Sequence, residues 1–452
     1  MKAINPATNE LIKEYREHTA EEVGRIIDLV DLRQKEWRRI DFAEKARLMH
    51  RAAEILRKNI NKYARTITLE MGKTITESKA EIEKSAWVCD YYADNAEKFL
   101  TDEIIETDAS RSFVAFEPLG VVLAVMPWNF PYWQVFRFAA PALMAGNAGV
   151  LKHASNVPGC ALDIEQVFLE AGFPENIFRT LLISSKLVDR IIADPRIKAV
   201  TLTGSEPAGM AVASAAGREL KKTVLELGGS DPFIVLEDAD LPACVATSAK
   251  ARMINAGQSC IAAKRFIVVE PMLRAFEEQQ TAIMKSLKVG DPLDENTKVG
   301  AMARLDLLEE LEEQVKESIR MGARLLCGGK RADRPGVFYE PTVLTDVRKG
   351  MPAYEQETFG PVSAIIPAKD TEDAIRVAND SVFGLGGSVW SRNIKKAEMV
   401  ARRIETGAVF INGLTKSDPR LPFGGVKKSG YGRELSHYGI REFVNIKTIW
   451  IA

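Results

Sequence analysis

Between residues 121 and 227 the chain switches repeatedly between short apolar runs and stretches of helical periodicity. No other feature constrains the fold as strongly. The runs 121–125, 149–151, 177–183, 199–202 and 223–227 read as strands, and the intervening segments 132–144, 158–171, 186–192 and 207–216 read as helices. Strands that alternate with helices in this way specify a parallel α/β sheet, which takes its ligands at the carboxyl ends of its strands. The usual G-x-G-x-x-G dinucleotide turn is absent. In its place Thr203, Gly204 and Ser205 form a strand-to-helix turn, opening a helix whose first amides can hold a pyrophosphate.

Further α/β alternation follows between residues 231 and 423, with extended runs at 266–269, 343–345, 364–367 and 386–390 and a helix-like stretch at 302–321, so a second lobe is expected. Two to three domains suit a chain of 452 residues. Residues 20–100 read as amphipathic packing helices with solvated charged faces, and residues 111–125 as a hairpin leading into a core strand. The end of the chain, 441–451, alternates like a strand, and an apolar terminal strand invites pairing with another chain.

The net charge of −1, with no basic block, argues against nucleic acid or an anionic membrane surface as partner. No apolar run reaches eighteen residues and the start lacks a signal-peptide pattern, so a cytoplasmic protein is expected. Five cysteines without a repeated spacing point to a reducing compartment rather than a disulfide framework. The four histidines, His18, His50, His153 and His437, lie in no metal-ligating pattern, so no metal is expected.

Two residues carry the chemistry this alternation exposes. Cys260 follows a helix-like run, 241–254, that stops at Gly257, so its thiol can face a pocket. Glu226 closes an apolar strand, a position suited to a general base beside a nucleophilic thiolate. Cys89, Cys160, Cys244 and Cys327 sit in apolar or helical contexts that suit core packing. A Cys–His pair using His153 or His437 stays open at this point.

Seven motifs in order span nearly the whole chain: Met126-Pro127-Trp128-Asn129, Leu151-Lys152-His153, Thr203-Gly204-Ser205, Glu226-Leu227-Gly228-Gly229, Gly257-Gln258-Ser259-Cys260, Glu357-Thr358-Phe359-Gly360, and Pro422-Phe423-Gly424-Gly425 with its continuation to Arg433. With them the sequence resembles the NAD(P)-dependent aldehyde dehydrogenase superfamily. The resemblance implies a Rossmann-like cofactor domain from 1–104 and 119–229, a catalytic domain from 230–428, and a small oligomerisation arm from 105–118 and 429–452, in a homodimer or homotetramer. It further implies that Cys260 adds to the aldehyde, that the Asn129 side chain and the Cys260 N–H hold the oxyanion, and that Glu226 activates the water that releases the acid. Lys152 is assigned to the adenine ribose, Glu357 to the nicotinamide ribose, Ser205 to the pyrophosphate and Phe359 to the nicotinamide. Trp128, Gly204 and Gly228 complete the cofactor set.

Ser155 stands where many NAD-preferring members carry a glutamate. Without that charge a 2′-phosphate is not repelled and Lys152 can pair with it, so NADP is expected beside NAD. For the substrate, Arg137 either clamps a distal carboxylate or serves as a structural helix arginine. Trp133, Ser259, Ile261 and Phe423 are expected to line the funnel, and Ser417 or Arg420 to supplement Arg137, since Ile254 occupies the place of a second arginine. The sequence looks most similar to a bacterial branch of succinate-semialdehyde dehydrogenases. A broad-specificity aldehyde dehydrogenase, a CoA-acylating enzyme and a cofactor-free cysteine thioesterase or esterase remain the alternatives.

Overall fold

The computed structural model describes residues 1–452. The expected alternation builds a six-stranded sheet whose spatial order is Gly430–Tyr431, Lys222–Glu226, Ile197–Thr203, Val121–Met126, Ala148–His153 and Phe178–Thr180. Its five strands from 121–226 are parallel, and only Gly430–Tyr431 is antiparallel, against Glu226 and Leu225. The strand expected over 177–183 is shorter because the chain turns off the sheet at Leu182, whose carbonyl accepts from His18 N–H at 2.8 Å. The next helix is correspondingly split into a single 3-10 turn, Ser185–Leu187, and Val188–Ala193.

The helix Trp133–Met144 is buried along its whole length. Apart from Gln134 and Arg137 it is apolar all round, as a helix enclosed by a sheet and other helices must largely be. The first amides of this segment would be orphaned there, but the buried Glu81 carboxylate accepts from the N–H groups of Tyr132 (2.8 Å) and Trp133 (3.1 Å). Glu81 also pairs with the buried Lys73. The helix Ile75–Phe99, read from sequence as surface packing, therefore supplies interior charges.

A second sheet of seven strands runs in the order Arg324–Cys327, Thr342–Thr345, Val362–Ala368, Ala263–Val269, Asp231–Val235, Ser388–Trp390 and Phe410–Ile411, parallel except for its first pair. The hairpin expected over 111–125 is not formed. Arg111–Pro118 pairs instead with Val444–Ile451 and Glu103–Ile104 in a small three-stranded sheet, and Gly120, at a φ of 135°, redirects the chain into the six-stranded one. Within 429–452 only Val444–Ile451 joins that small sheet; Gly430–Tyr431 and the helix Ser436–Ile440 pack on the first lobe. No helix is long and apolar enough to cross a membrane.

Candidate active site

Adjacent parallel strands end at Glu226, Thr203, Met126 and His153, and the turns that follow them face the second lobe. Over these ends lies a cavity of about 480 Å³, lined by Trp128, Gly204, Ser205, Gly228, Glu357 and Phe359, with Asn129 and Cys260 at its floor. Trp128 and Phe359 meet edge to face at 5.8 Å. A Cβ on Gly228 would lie 2.5 Å from Glu357 Oε2 and displace that carboxylate. Glu357 is fixed by Gly229 N–H (3.1 Å) and by Lys264 Nζ (3.1 Å). Lys152 and Ser155 stand at the end of the next strand, outside the cavity lining. Ser155 is exposed, and burial lowers the pKa of the Lys152 ammonium with no carboxylate to offset it.

The cysteine loop is an unfavourable backbone held by buried cations. After the helix Leu241–Met253, Asn255 and Ala256 adopt left-handed φ values of 53° and 52°. Glu77 accepts the Asn255 N–H at 2.7 Å. Arg252 donates to the carbonyls of Gly257 (2.6 Å), Gly360 (2.6 Å), Ala263 (3.1 Å) and Thr358 (3.2 Å), tying the loop to the Glu357 segment. Lys264 donates to the carbonyls of Ser259 and Cys260, both at 2.8 Å. Neither cation was singled out from sequence. For Lys264 the signal was there, because it and the neighbouring Arg265 interrupt an otherwise apolar strand, Ala263–Val269, where unpaired charge is costly; nothing in the pattern marks Arg252, on the helix before the loop.

Asn129 is buried with its amide orientation set on both sides. Oδ1 accepts from Gln134 Nε2 (3.1 Å), and Nδ2 donates to the Gln258 carbonyl (3.1 Å), which leaves Nδ2 a second hydrogen beside Cys260. Burial pushes the Cys260 thiol up to about 12; Lys264 and Arg137 oppose the shift, and Glu357 and Glu226 add to it. We expect iodoacetamide to modify Cys260 in nucleotide-free protein about tenfold faster per pH unit from about pH 7 to 10, without a plateau near the ordinary thiol pKa of about 8.5. Peptide mass spectrometry reads the rate, and a plateau near neutrality would mean that the resting site already holds a thiolate.

Glu226 stands apart from both cavities. Its carboxyl is fully buried, and neither oxygen has a hydrogen-bond partner. It lies against Gly424, where a Cβ would come within 2.8 Å of Oε1. Burial first, then repulsion by Glu434, raises its pKa well above the usual carboxylate range, while Arg137 and Arg433 pull the other way.

Cys260 also lines a second cavity of about 210 Å³, and the two cavities share only Cys260 and Gln134. Trp133, Ser259, Ile261, Ser417, Phe423 and Arg137 all line it, with Ile254 on the wall. Arg420 does not: its side chain is 66% exposed and pairs with Asp418 at 2.7 Å, two residues away. Arg137, half of the open question, is buried over the Phe423 ring (4.8 Å) with Nε 2.5 Å from Glu434 Oε2 and Nη2 donating to Thr203 Oγ1 at 3.2 Å. Its Nε–H is not aimed at the carboxylate, so this is a contact of charges rather than an aligned bond. The second cavity also holds a cation that the sequence reading passed over, Lys84 of the helix Ile75–Phe99. The Cys–His alternative fails: His153 sits against the Pro131 carbonyl (2.9 Å) and His437 against Tyr438 (4.0 Å), and neither lines a cavity with Cys260.

Known proteins similar to this chain match it over nearly its whole length. A probable succinate-semialdehyde dehydrogenase [NADP(+)] of Synechocystis is 54% identical over 99% of both chains. A succinate-semialdehyde dehydrogenase [NADP(+)] of Mycobacterium tuberculosis is 52% identical, again over 99% of both. Among solved structures, succinic semialdehyde dehydrogenase from Streptococcus pyogenes in complex with NADP+ superposes with a TM-score of 0.98 at 43% identity, covering 100% of this chain and 99% of that one. The family model described as "Aldehyde dehydrogenase family" matches residues 1–449, and the chain belongs to that family.

Proposed function

We propose that the protein oxidises succinic semialdehyde, or a similarly short aldehyde with a carboxylate at its far end, to the acid, using NADP and also accepting NAD. The observation that carries this reading is the place of Cys260, at the junction of the cavity of about 480 Å³ over the strand ends and a smaller one walled partly by cations. The names of the two relatives and of the Streptococcus structure support it.

The larger cavity suits a nicotinamide dinucleotide. The helix Glu206–Arg218 opens beside it with the Ser205 side chain uncommitted to capping, so hydroxyl and helix amides are free for a pyrophosphate. Gly204 and Gly228 would give the backbone close approach, Glu357 would take the nicotinamide ribose, and Trp128 and Phe359 would flank the nicotinamide. Lys152, without a carboxylate of its own, would meet an adenosine 2′-phosphate beside Ser155. When bound, the nucleotide supplies the acceptor for the hydrogen and electron pair that leave the aldehyde carbon.

The chain's own groups do the rest. Cys260 Sγ, after losing its proton, bonds to the aldehyde carbon, and the carbonyl oxygen becomes an oxyanion held by Asn129 Nδ2 and the Cys260 N–H. Oxidation leaves an acyl thioester on Cys260. Glu226 then takes a proton from water, whose oxygen bonds to the acyl carbon as the sulfur departs. Each aldehyde consumes one water and yields one NADPH and two protons. For that last step the Glu226 side chain must turn from Glu434 into the cavity and ionise.

The test is NADPH formation by purified protein with succinic semialdehyde against butanal. We expect kcat/KM to favour the acid-bearing aldehyde by at least about tenfold, the yield of one charge-assisted contact. Equal rates would make the enzyme a broad aldehyde oxidase, and NADH formation without NADPH would overturn the reading of Ser155. The small three-stranded sheet exposes Ile104, Ile446 and Trp450, and we read it as the arm that docks on a second subunit in a dimer or tetramer. A cytoplasmic setting suits five free cysteines.

A further inference from the structure

We infer that Lys84 is the residue that holds the substrate's distal carboxylate, and that Arg137 is a positioning residue whose charge is spent on Glu434. This rests on the function proposed above and assigns its specificity to a side chain on the helix Ile75–Phe99.

Three cations line the second cavity; Lys416 is exposed, and the other two, Arg137 and Lys84, differ in what already surrounds them. Arg137 lies 2.5 Å from buried Glu434, whose carboxyl is pushed up by burial and drawn back down by Arg137 itself, and it bonds to Thr203 and covers Phe423. A second anion would compete with Glu434 for it. Lys84 pairs with no carboxylate. Its Nζ donates to Ser417 Oγ at 2.7 Å and stands 4.1 Å from the centre of the Trp133 ring. Both partners line the same cavity as Cys260, so the ammonium is aimed into substrate space with donors to spare.

The carboxyls around Lys84 are committed elsewhere. On its own helix, Glu81 is taken by Lys73 and by the amides of Tyr132 and Trp133. Glu77 accepts from Asn255 N–H and Thr74, and burial raises its pKa toward the neutral form. Across the cavity, Asp418 is paired with Arg420, and Lys416 and Arg137 add positive charge. Burial, and then Arg137, push the Lys84 ammonium down to about 7, with Glu81 and Asp418 opposing. A substrate carboxylate would restore the missing counter-charge, which is the arrangement in which a desolvated lysine binds an anion best. Ser417 would then act with Lys84, its hydroxyl oxygen accepting from Nζ and its O–H free to donate to the ligand.

The experiment compares succinic semialdehyde and butanal as substrates of wild type, Lys84→Met, Lys84→Gln and Lys84→Arg. In the Met and Gln variants KM for succinic semialdehyde should rise roughly 10- to 100-fold, the yield of a lost hydrogen bond between charged groups. Butanal kinetics should stay within about threefold. Lys84→Arg should keep the preference for the acid. It should also keep it at pH 9, where wild type loses part of it as the lysine deprotonates and the guanidinium does not. Equal losses on both aldehydes in both neutral variants would make Lys84 structural and overturn the inference. An undiminished acid preference in those variants would overturn it while leaving the proposed function standing. No acid preference in wild type would instead remove the proposed substrate itself.

Discussion

Glu226→Gln is expected to leave an enzyme that makes about one NADPH per active site and then nearly stops. A base acting on water contributes roughly 10²- to 10⁴-fold, and the amide cannot accept the proton. Sulfur addition and oxidation do not need that base, so the acyl group should accumulate on Cys260. Stopped-flow absorbance would show a burst with steady turnover lowered about a thousandfold, and intact-protein mass would rise by one acyl group. Folding should survive the change. The carboxyl makes no hydrogen bond in its buried position and faces Glu434, so a neutral isostere removes repulsion without removing a partner. The sign of the pH effect follows. Glu226 holds its proton in the folded state well above the unfolded value, so its stability cost grows as pH rises above about 4.5. The glutamine variant should therefore melt no lower than wild type at pH 8. Unchanged steady-state turnover, or a loss with no burst, would remove Glu226 from the hydrolytic step.

Gly257→Ala should be nearly as damaging, for a reason that involves no chemistry. Gly257 sits at a φ of 78°, and a Cβ there would overlap the Gly360 carbonyl and approach Arg252 Nη2 to 2.5 Å. Neither obstacle can step aside, because the two are bonded to each other at 2.6 Å. The strained φ and the overlap together should cost on the order of 3 kcal/mol locally. The loop would relax by moving Cys260, so activity should fall by at least about 100-fold, consistent with misplacement by roughly an ångström. Gly24→Ala is the matched control, since nothing lies within 4 Å of a Cβ in the helix Ala20–Trp37 and φ there is ordinary. Thermal melting and NADPH formation on both variants separate the two cases. A fully active Gly257→Ala enzyme would show that the cysteine loop tolerates rearrangement.

The fold was legible where pattern and topology coincide. Apolar runs parted by helices gave five of the six strands of the first sheet, because a strand buried on both faces has little latitude in composition. The hairpin over 111–125 was misread because a local pattern cannot reveal that Arg111–Pro118 finds its partner at the other end of the chain. The site divides in the same manner. Cys260 stood out after a helix stop, while Asn129, Gly228 and Glu357 entered only through the resemblance of their short motifs to a family. Glu434 against Arg137 is a pairing across nearly three hundred residues, and no spacing rule points to it. Lys84 was hidden by a sound general rule, that charges on an amphipathic helix face water; here that face looks into a cavity. Arg420 was readable in principle, since Asp418 lies two residues before it and short-range pairs of this kind often neutralise each other.

The pair of cavities meeting at Cys260 has a consequence for how such an enzyme can diverge. Only Cys260 and Gln134 belong to both walls, and Ser155 lies outside both, so the groups proposed to choose the nucleotide and those proposed to choose the aldehyde are almost disjoint sets. Changes at Ser155 and at Lys84 should then combine with additive free energies, as distant sites without shared partners do. A lineage, or a protein engineer, can re-address one side while the other is left as it stands. Choice of nucleotide and choice of aldehyde would in that sense be separately heritable, joined only where Cys260 and Gln134 face both cavities.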